Sequence, residues 1–368
     1  MDTKSAVLFD SLTTVIRNAV RDKDDRSIDG IEMVANIEGL LERVVSKKNV
    51  WEELKEIDAP SFAIPLKDGG LELGIEVDLM LLEEMGKALY SKPYIETLTA
   101  IEILSQINNS ELIQEDIDLL KSGSRFLDVI MIDKNMNFLE LEKNYISIDS
   151  FSCYISNLKE VEYFLIIVDN FIYKVPKNNR SINITTCADI TETNISQVNL
   201  NMLKLNRHDS LNTNPVLFSH VLPNQRIRQA AFLKGLARGA IEEAIKYTNK
   251  RKQFDKKLIE HQAVSFKLAS LLAELEGASA KIEYSTNSEG SKEFLLDATE
   301  SLAYMAEIAL KVSRETLHLH GAYGLTKLSK IEEFYRRIAL EAIRYGTPND
   351  LWLEASNLKL NEKESNKY

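Results

Sequence analysis

The sequence predicts a mostly α protein with a small central β domain. An N-terminal helical domain is expected over 1–122, a β-barrel-like middle domain over 123–215 and a C-terminal four-helix bundle over 216–368. Three observations carry this. Apolar residues recur at helical spacing on both flanks, the period shortens to two between about 123 and 215, and the last third holds four long amphipathic stretches with short breaks. With 368 residues, 44% of them hydrophobic, the chain can bury more than one core.

In the first zone, "VDLMLLEEMGKALY" sets Leu79, Leu82, Met85 and Leu89 on one helix face. The preceding "AIPLKDGGLELG" joins Pro65 to Gly69-Gly70, a breaker cluster. "NSELIQEDIDLLKSG" reads as a helix capped by Ser110 and stopped at Gly123. In the second zone "RFLDVIMI", "NFLEL", "NYISI", "EYFLIIV" and "FIYKV" are short β-branched and aromatic runs. Asp169-Asn170 is the expected hairpin turn between the last two, and "INITT" and "NISQVNLN" follow. A small antiparallel sheet or barrel is expected.

In the third zone a helix is expected after Pro223, with Ile227, Ala230, Ala231, Ala237, Ile241, Ala244 and Ile245 along a broad stripe. The next repeats the pattern through Val264, Leu268, Leu271, Leu272 and Leu275; two more end near Gly321 and Gly346. Short connections imply an antiparallel bundle, and stripes wider than one core needs imply an oligomer. In "IRYGTPND", Gly346 ends a helix, Thr347 caps the next, Pro348 takes its first position and Asp350 can fold back. "NEKESNKY" is expected to fray.

Composition narrows the function. Acidic residues number 56 against 45 basic, a net charge of −11, which argues against a nucleic-acid binder but leaves room for a local basic pocket. Cys153 and Cys187 lack metal spacing and suit a reducing cytoplasm; the five histidines include no HExxH, so no metal site is expected. "MDTKSAVLFDSLTTVIRNAV" is a short amphipathic segment, neither signal peptide nor membrane span, so a cytoplasmic protein is expected.

Three segments of the last zone form an ordered set: "RKQFDKKLIEHQAVSFKLA", "LHLHGAYGLT" and "FYRRIALEAIRYGT". Together they resemble the acyl-CoA dehydrogenase family. The first is similar to its R-x-x-F-G-x-x-x-x-x-x-Q segment, the second to its G-G-x-G turn, the third to the helix leading to its E-G-T loop. "WEELKEIDAPSFAIPLKDGGLELGIEVDLMLLEEMGKAL" resembles the family's N-terminal region with its P-x-x-x-G-G loop. The resemblance covers most of 50–105 and nearly all of 222–350. It implies an α domain, a β domain and a four-helix bundle, with FAD held in extended form and its adenine end reaching a neighbouring subunit.

By that resemblance Arg251 contacts the FAD pyrophosphate, Phe254 packs beside the flavin, and His261, Gln262, His318, Gly321 and Ala322 take cofactor positions. Thr347 to Asn349 form the helix N-terminus that receives the phosphates, and Arg226 and Gly346 lie at the substrate site. An arginine fork suits phosphate oxygens, and a helix N-terminus favours an anion. Read alone, Lys250-Arg251-Lys252 is a solvated helix end favoured by the dipole, and "QRIR" is equally a pair of solvent-facing arginines. His318 replaces a glutamine and Ala322 a glycine of the family pattern, while Gly321 and Gly324 remain.

The family's reaction removes a proton from the carbon beside a thioester carbonyl, using a glutamate as base. Its two base positions are held here by Tyr345 and Gln225. A phenol ionises near 10, against about 4.3 for glutamate, so neutrality costs it roughly 4 kcal/mol; an amide is no base. The family's T-E-P-x-x-G-S-D and W-I-T-N segments have no match in the shorter β zone. Three readings stay open. The first is an FAD-dependent dehydrogenase acting on a coenzyme A or acyl-carrier-protein thioester. The second is a subunit without its own chemistry that shares an FAD site with a glutamate-bearing relative. The third is a flavoprotein of different chemistry. All expect a homo- or hetero-oligomer, dimer or tetramer.

Overall fold

The computed structural model describes residues 50–365, apart from 67–68, 108–110, 133–138, 142–143, 156–157, 169–170, 188–194 and 212–216. The expectations for the N-terminal segment, the Ser110 cap, the turn residues Asp169 and Asn170 and the last three residues lie outside that set. The first helices are α1 (Val50–Glu56) and α2 (Ile75–Lys87). By contact the described chain forms two compact units: 54–72 with 91–221, and 50–53 with 73–90 and 222–365.

In the first of these units α3 (Tyr94–Ser105) and α4 (Glu111–Lys121) precede the strands. α3 is buried nearly all round, and its Ile101 and Leu104 join Ile117, Leu120, Leu127, Leu165 and Ile167 in one core. α4 stops where expected. Gly123 is left-handed (φ +66°), and the Gly123 and Ser124 N–H groups donate to Leu120 and Leu119 carbonyls at 3.0 Å, closing a Schellman motif.

The β zone is two sheets rather than one antiparallel sheet or barrel. β1 (Phe126–Ile132), β4 (Val161–Val168) and β5 (Phe171–Pro176) form one, with β1 parallel to β4 and β4 antiparallel to β5. β2 (Leu139–Leu141), β3 (Tyr145–Ile155), β7 (Ser196–Asn206) and β6 (Ile182–Thr186) form the other, antiparallel throughout. A parallel pair needs a long crossover, and β2 and β3 supply it by pairing elsewhere. β4 and β5 pair as the expected antiparallel neighbours, Val168 with Phe171. Buried Asp116 binds both Arg125 and Lys174, and both cations lie over the Tyr163 ring, which ties α4 to β1 and β5.

The other unit holds α2 and the bundle helices α5 (Leu217–Lys250), α6 (Gln262–Thr286), α7 (Phe294–Leu319), α8 (Lys330–Glu341) and α9 (Pro348–Ser365). α7 packs against α6, α8 and α9. α5 starts before Pro223 rather than after it, and Pro223, its seventh residue, forfeits one i→i−4 backbone bond there. "NEKES" continues α9 instead of fraying. Leu79, Leu82 and Met85 are buried on α2 as expected. Leu89 lies past the helix at φ +58°, because Tyr90 N–H donates to Met85 O and ends it. On α6, Leu268, Leu271 and Leu275 are buried, Val264 is half-buried and Leu272 faces solvent. Among the described residues no helix is long and apolar enough to cross a membrane.

α2 and α5 cross at backbone contact. A Cβ on Gly235 would stand 2.0 Å from the Glu83 carbonyl oxygen, and one on Gly86 would stand 2.3 Å from that of Phe232. Such overlap with rigid backbone can be relieved only by parting the helices. Gly235→Ala should therefore lower the unfolding free energy by about 1–3 kcal/mol in a denaturant titration. Gly277→Ala on α6, whose nearest neighbour would be the Tyr304 hydroxyl at 4.0 Å, should instead stabilise by roughly 0.5–1 kcal/mol through helix propensity.

Candidate functional site

The first half of α5 turns a run of polar side chains inward. Asn224, Gln225, Arg226, Arg228 and Gln229 are all buried. Arg228 donates to Asp78 of α2 at 2.7 and 3.1 Å, both residues sealed from solvent. Gln229 donates to the Glu341 carbonyl at 2.9 Å and its carboxylate at 3.0 Å. Arg226 binds Thr299 of α7 and grips both carboxylate oxygens of Glu354 on α9 at 2.8 and 2.9 Å. Gln225 and Arg226 thus sit inside the bundle, not on a solvent face.

Glu341 lies one helical turn before Tyr345. Burial pushes its carboxyl up, yet Arg337 at 3.0 Å, Arg344 at 3.3 Å and Gln229 together hold it below the usual carboxylate range. Arg344 also lies 5.9 Å from the centre of the half-buried Tyr345 ring. Gly346 adopts φ +119°. Thr347 then caps α9 as its sequence requires. Its N–H and hydroxyl donate to Asp350 at 3.2 and 2.6 Å, and Asp350 N–H returns a bond to Thr347 Oγ1 at 3.3 Å. This helix N-terminus already holds a carboxylate of its own, and Asn349 beside it is exposed.

Arg251 lies just beyond the far end of α5, about 38 Å from Arg226 at 1.5 Å per residue. It opens a hairpin of β8 (Lys252–Gln253) and β9 (Lys256–Lys257). The two turn residues, Phe254 and Asp255, are both left-handed, at φ +53° and +61°. That conformation normally takes Asn-Gly, and costs a bulky L-residue roughly 1–2 kcal/mol. Phe254 is nonetheless 88% exposed, edge-on to His261 at 6.4 Å. His261 Nε2 lies 3.2 Å from the Gln253 carbonyl and precedes exposed Gln262 at the start of α6.

The turn after α7 meets this end of α5. Gly321 has φ +58° with open space where a Cβ would be, and Ala322 and His318 are exposed. Between them in space stands a residue the sequence reading passed over. His320 is buried, hydrogen-bonded to the Thr316 carbonyl at 2.8 Å and stacked on Tyr247 at 4.3 Å. Burial pushes its pKa down against the pull of the Thr316 carbonyl and Glu243. Arg251, Tyr247 and His320 line one cavity of about 430 Å³. The structure therefore gathers the sequence-predicted residues into two groups on one unit: Arg251, Phe254, His261, Gln262 and the 318–322 turn at one end of α5, Gln225 and Arg226 at the other. A run such as "NQRIRQ", polar in five of six places on a long amphipathic helix, was the available signal for the buried ladder.

The family description "Acyl-CoA dehydrogenase, C-terminal domain" matches residues 217–352. The 3-(aryl)acrylate reductase of Clostridium sporogenes is 32% identical over 160 residues, 41% of each chain. Subunit CarC of the caffeyl-CoA reductase-Etf complex of Acetobacterium woodii is 30% identical over 173 residues, 46% of this chain and 45% of that one. The matched stretch thus spans less than half the length of these curated relatives. In fold the likeness is nearly complete. The ChsE4-ChsE5 complex of Mycobacterium tuberculosis aligns with TM-score 0.71 at 16% identity, covering 97% of both chains, and the Tcur3481-Tcur3483 steroid ACAD variant with 0.74 at 18%, covering 98% and 99%. Residues 217–352 are thus similar to the C-terminal domain of acyl-CoA dehydrogenases, and the whole chain shares the fold of the butyryl-CoA dehydrogenase of Megasphaera elsdenii.

The Glu341 cluster yields a pH-dependent expectation. Glu341→Gln leaves Arg337 and Arg344 without their buried carboxylate and should cost about 3–5 kcal/mol of unfolding free energy near neutrality. Because the folded pKa lies below the unfolded one, Glu341 contributes fully above about 4.5, and its contribution fades as pH falls through the depressed folded value. Denaturant titrations of the two proteins from pH 7 to pH 3 should therefore converge towards the acid end.

Proposed function

We propose that this chain is an FAD-dependent acyl-CoA dehydrogenase-like flavoprotein acting on an acyl thioester, with each FAD site completed by a second chain. The separation along α5 carries the reading. Arg226, at a substrate position by resemblance, and Arg251, at a cofactor position, lie about 38 Å apart along one helix, so a site using both draws them from different subunits. The projecting hairpin supports this: Phe254 is held exposed in a costly conformation among Lys250, Arg251, Lys252, Lys256 and Lys257. So does the outer face of α6, where Phe266, Leu272 and Tyr284 are exposed beside Ala269, Ala273 and Ala280.

The residues fit the group at its phosphate end. Arg251 and its neighbouring lysines offer cations, and Gly321 leaves room for close backbone approach. Thr347 to Asn349 fit less well, since the Asp350 carboxylate occupies that helix end and a phosphate would have to displace it. FAD, when bound, supplies a hydride acceptor for making or, in the reverse direction, saturating the bond between the α and β carbons. The chain's own task is to orient the thioester and move the α-proton. Tyr345 is the only group at either base position able to exchange a proton, and the nearest buried carboxylate, Glu341, is committed to two arginines.

A second reading rests on that same shortage. Lacking a carboxylate at both positions, the chain would lend half of a shared FAD site to a glutamate-bearing relative; the likeness to the two-component ChsE4-ChsE5 complex supports such an assembly.

The visible spectrum of the purified chain tests both readings. The dehydrogenase reading expects flavin bands that bleach on adding a saturated acyl-CoA, slowed about 100-fold or more in Tyr345→Phe. A colourless chain that acquires flavin only with a related, glutamate-bearing chain contradicts it and upholds the second reading. Unchanged bleaching in Tyr345→Phe removes the phenol from proton transfer.

A further inference from the structure

We propose that β6 is a self-pairing edge, through which two copies of this chain join their four-stranded sheets into one. β6 closes one side of the sheet β2-β3-β7-β6, with β7 as its only partner strand among the described residues. An open strand edge templates further pairing unless something guards it. The other edges are guarded. β1 is buried almost end to end. β5 finishes on Pro176 and is bridged at Ile172 by Leu211, and β2 is three residues long with Glu140 at its centre. β6 has no such protection. Its five residues, "INITT", hold no charge and no proline, run in unbroken register with β7, and are exposed from Asn183 to Thr186.

The register says what covers the edge. Asn201 N–H donates to the Ser181 carbonyl and Cys187 N–H to the Ile195 carbonyl, both at 2.9 Å, so the odd-numbered residues bond inward to β7. Ile182, Ile184 and Thr186 therefore turn their backbone groups outward. Ile182 N–H is already taken by the Asn179 carbonyl at 2.9 Å; its carbonyl and both groups of Ile184 and Thr186 remain. An antiparallel copy centred on Ile184 answers them. Ile184 exchanges both bonds with its own counterpart, and Thr186 N–H reaches the carbonyl of Ile182 across the two-fold axis. The side chains agree. Ile182 and Ile184 stand opposite Leu200 and Val198, both sealed from solvent, so the apolar face of the sheet runs out to an edge where Ile184 is left 36% exposed. Across the axis the two Ile184 side chains cover each other, and Asn183 meets Thr185 on the polar face. An unrelated extended peptide would satisfy the backbone alone; the sequence paired with itself satisfies backbone and side chains together.

Cysteine cross-linking of the full chain, in a Cys187→Ser background, tests this. Pairing centred on Ile184 brings the two copies of that residue to a Cα separation of about 5.5 Å, inside the roughly 4.4–6.8 Å that a disulfide spans. The two copies of Thr186 stand about 14 Å apart, four residues at about 3.4 Å each, beyond reach. Ile184→Cys is therefore expected to give a covalent dimer on a non-reducing gel after mild oxidation, and Thr186→Cys about tenfold less. Light scattering gives a second reading: the wild-type mass should double as concentration rises, and Ile184→Lys or Ile184→Pro should abolish the doubling. Both variants should keep the fold, because residue 184 lies on an edge strand with its N–H turned away from β7. Their flavin content is expected to stay unchanged, since no residue assigned to the flavin lies on β6. No cross-link at 184, equal cross-linking at 184 and 186, or a mass indifferent to these substitutions overturns the proposal. Doubling that Ile184→Lys abolishes, in a chain that takes up no flavin, would refute the flavin reading and leave this one standing.

Discussion

The buried polar run on α5 is the constraint on which the bundle's arrangement depends. A charge removed from water must meet a partner, and leaving one unmet costs several kcal/mol. Arg228 therefore fixes α2 through Asp78, Gln229 fixes α8 through Glu341, and Arg226 fixes α7 and α9 through Thr299 and Glu354. One helix thereby sets the register of four others. An apolar stripe would tolerate sliding by a turn; these pairs do not, because each demands one particular atom opposite.

That register also decides what the chain can do chemically. Glu341 would be the obvious carboxylate near the position of Tyr345, but it is spent on holding α8 in place. Arg226, which the resemblance puts at a substrate position, is likewise engaged with Glu354. The proposed chemistry is left to a phenol and to groups brought in from outside the chain. At the other end of α5 the situation is reversed: Lys246, Lys250, Arg251 and Phe254 all face solvent. An ion-paired core at one end and an exposed basic surface at the other is what a site shared between chains requires.

Much of this was legible in the sequence. The helices of the bundle, the Gly123 stop, the hairpin between β4 and β5 and the Thr347–Asp350 capping box all follow from spacing and capping chemistry, which act locally. The parallel pairing of β1 with β4 did not, because strand order is settled by which distant segments meet, and each strand alone reads the same either way. Nor did the inward turn of Gln225 and Arg226: whether a polar residue faces core or solvent depends on partners at 299, 341 and 354 that the local pattern cannot reveal. His320 was overshadowed by His318 for the same reason, since only folding shows which of the two packs on Tyr247. The cavity draws on 243–251 and 320–330, stretches separated by the whole of α6 and α7.

The central claim, that a flavin site is completed across two chains, is tested most directly by complementation. Arg251→Glu would spoil the hairpin that one chain lends, and Gly346→Val, forced from φ +119°, would spoil the loop of the receiving chain. Flavin content should be measured for each variant alone and after co-expression of the two. The account predicts little flavin in either alone and recovery of up to half the wild-type content per chain in the mixture, since a mixed dimer holds one site free of both substitutions. A mixture as empty as its components would contradict it.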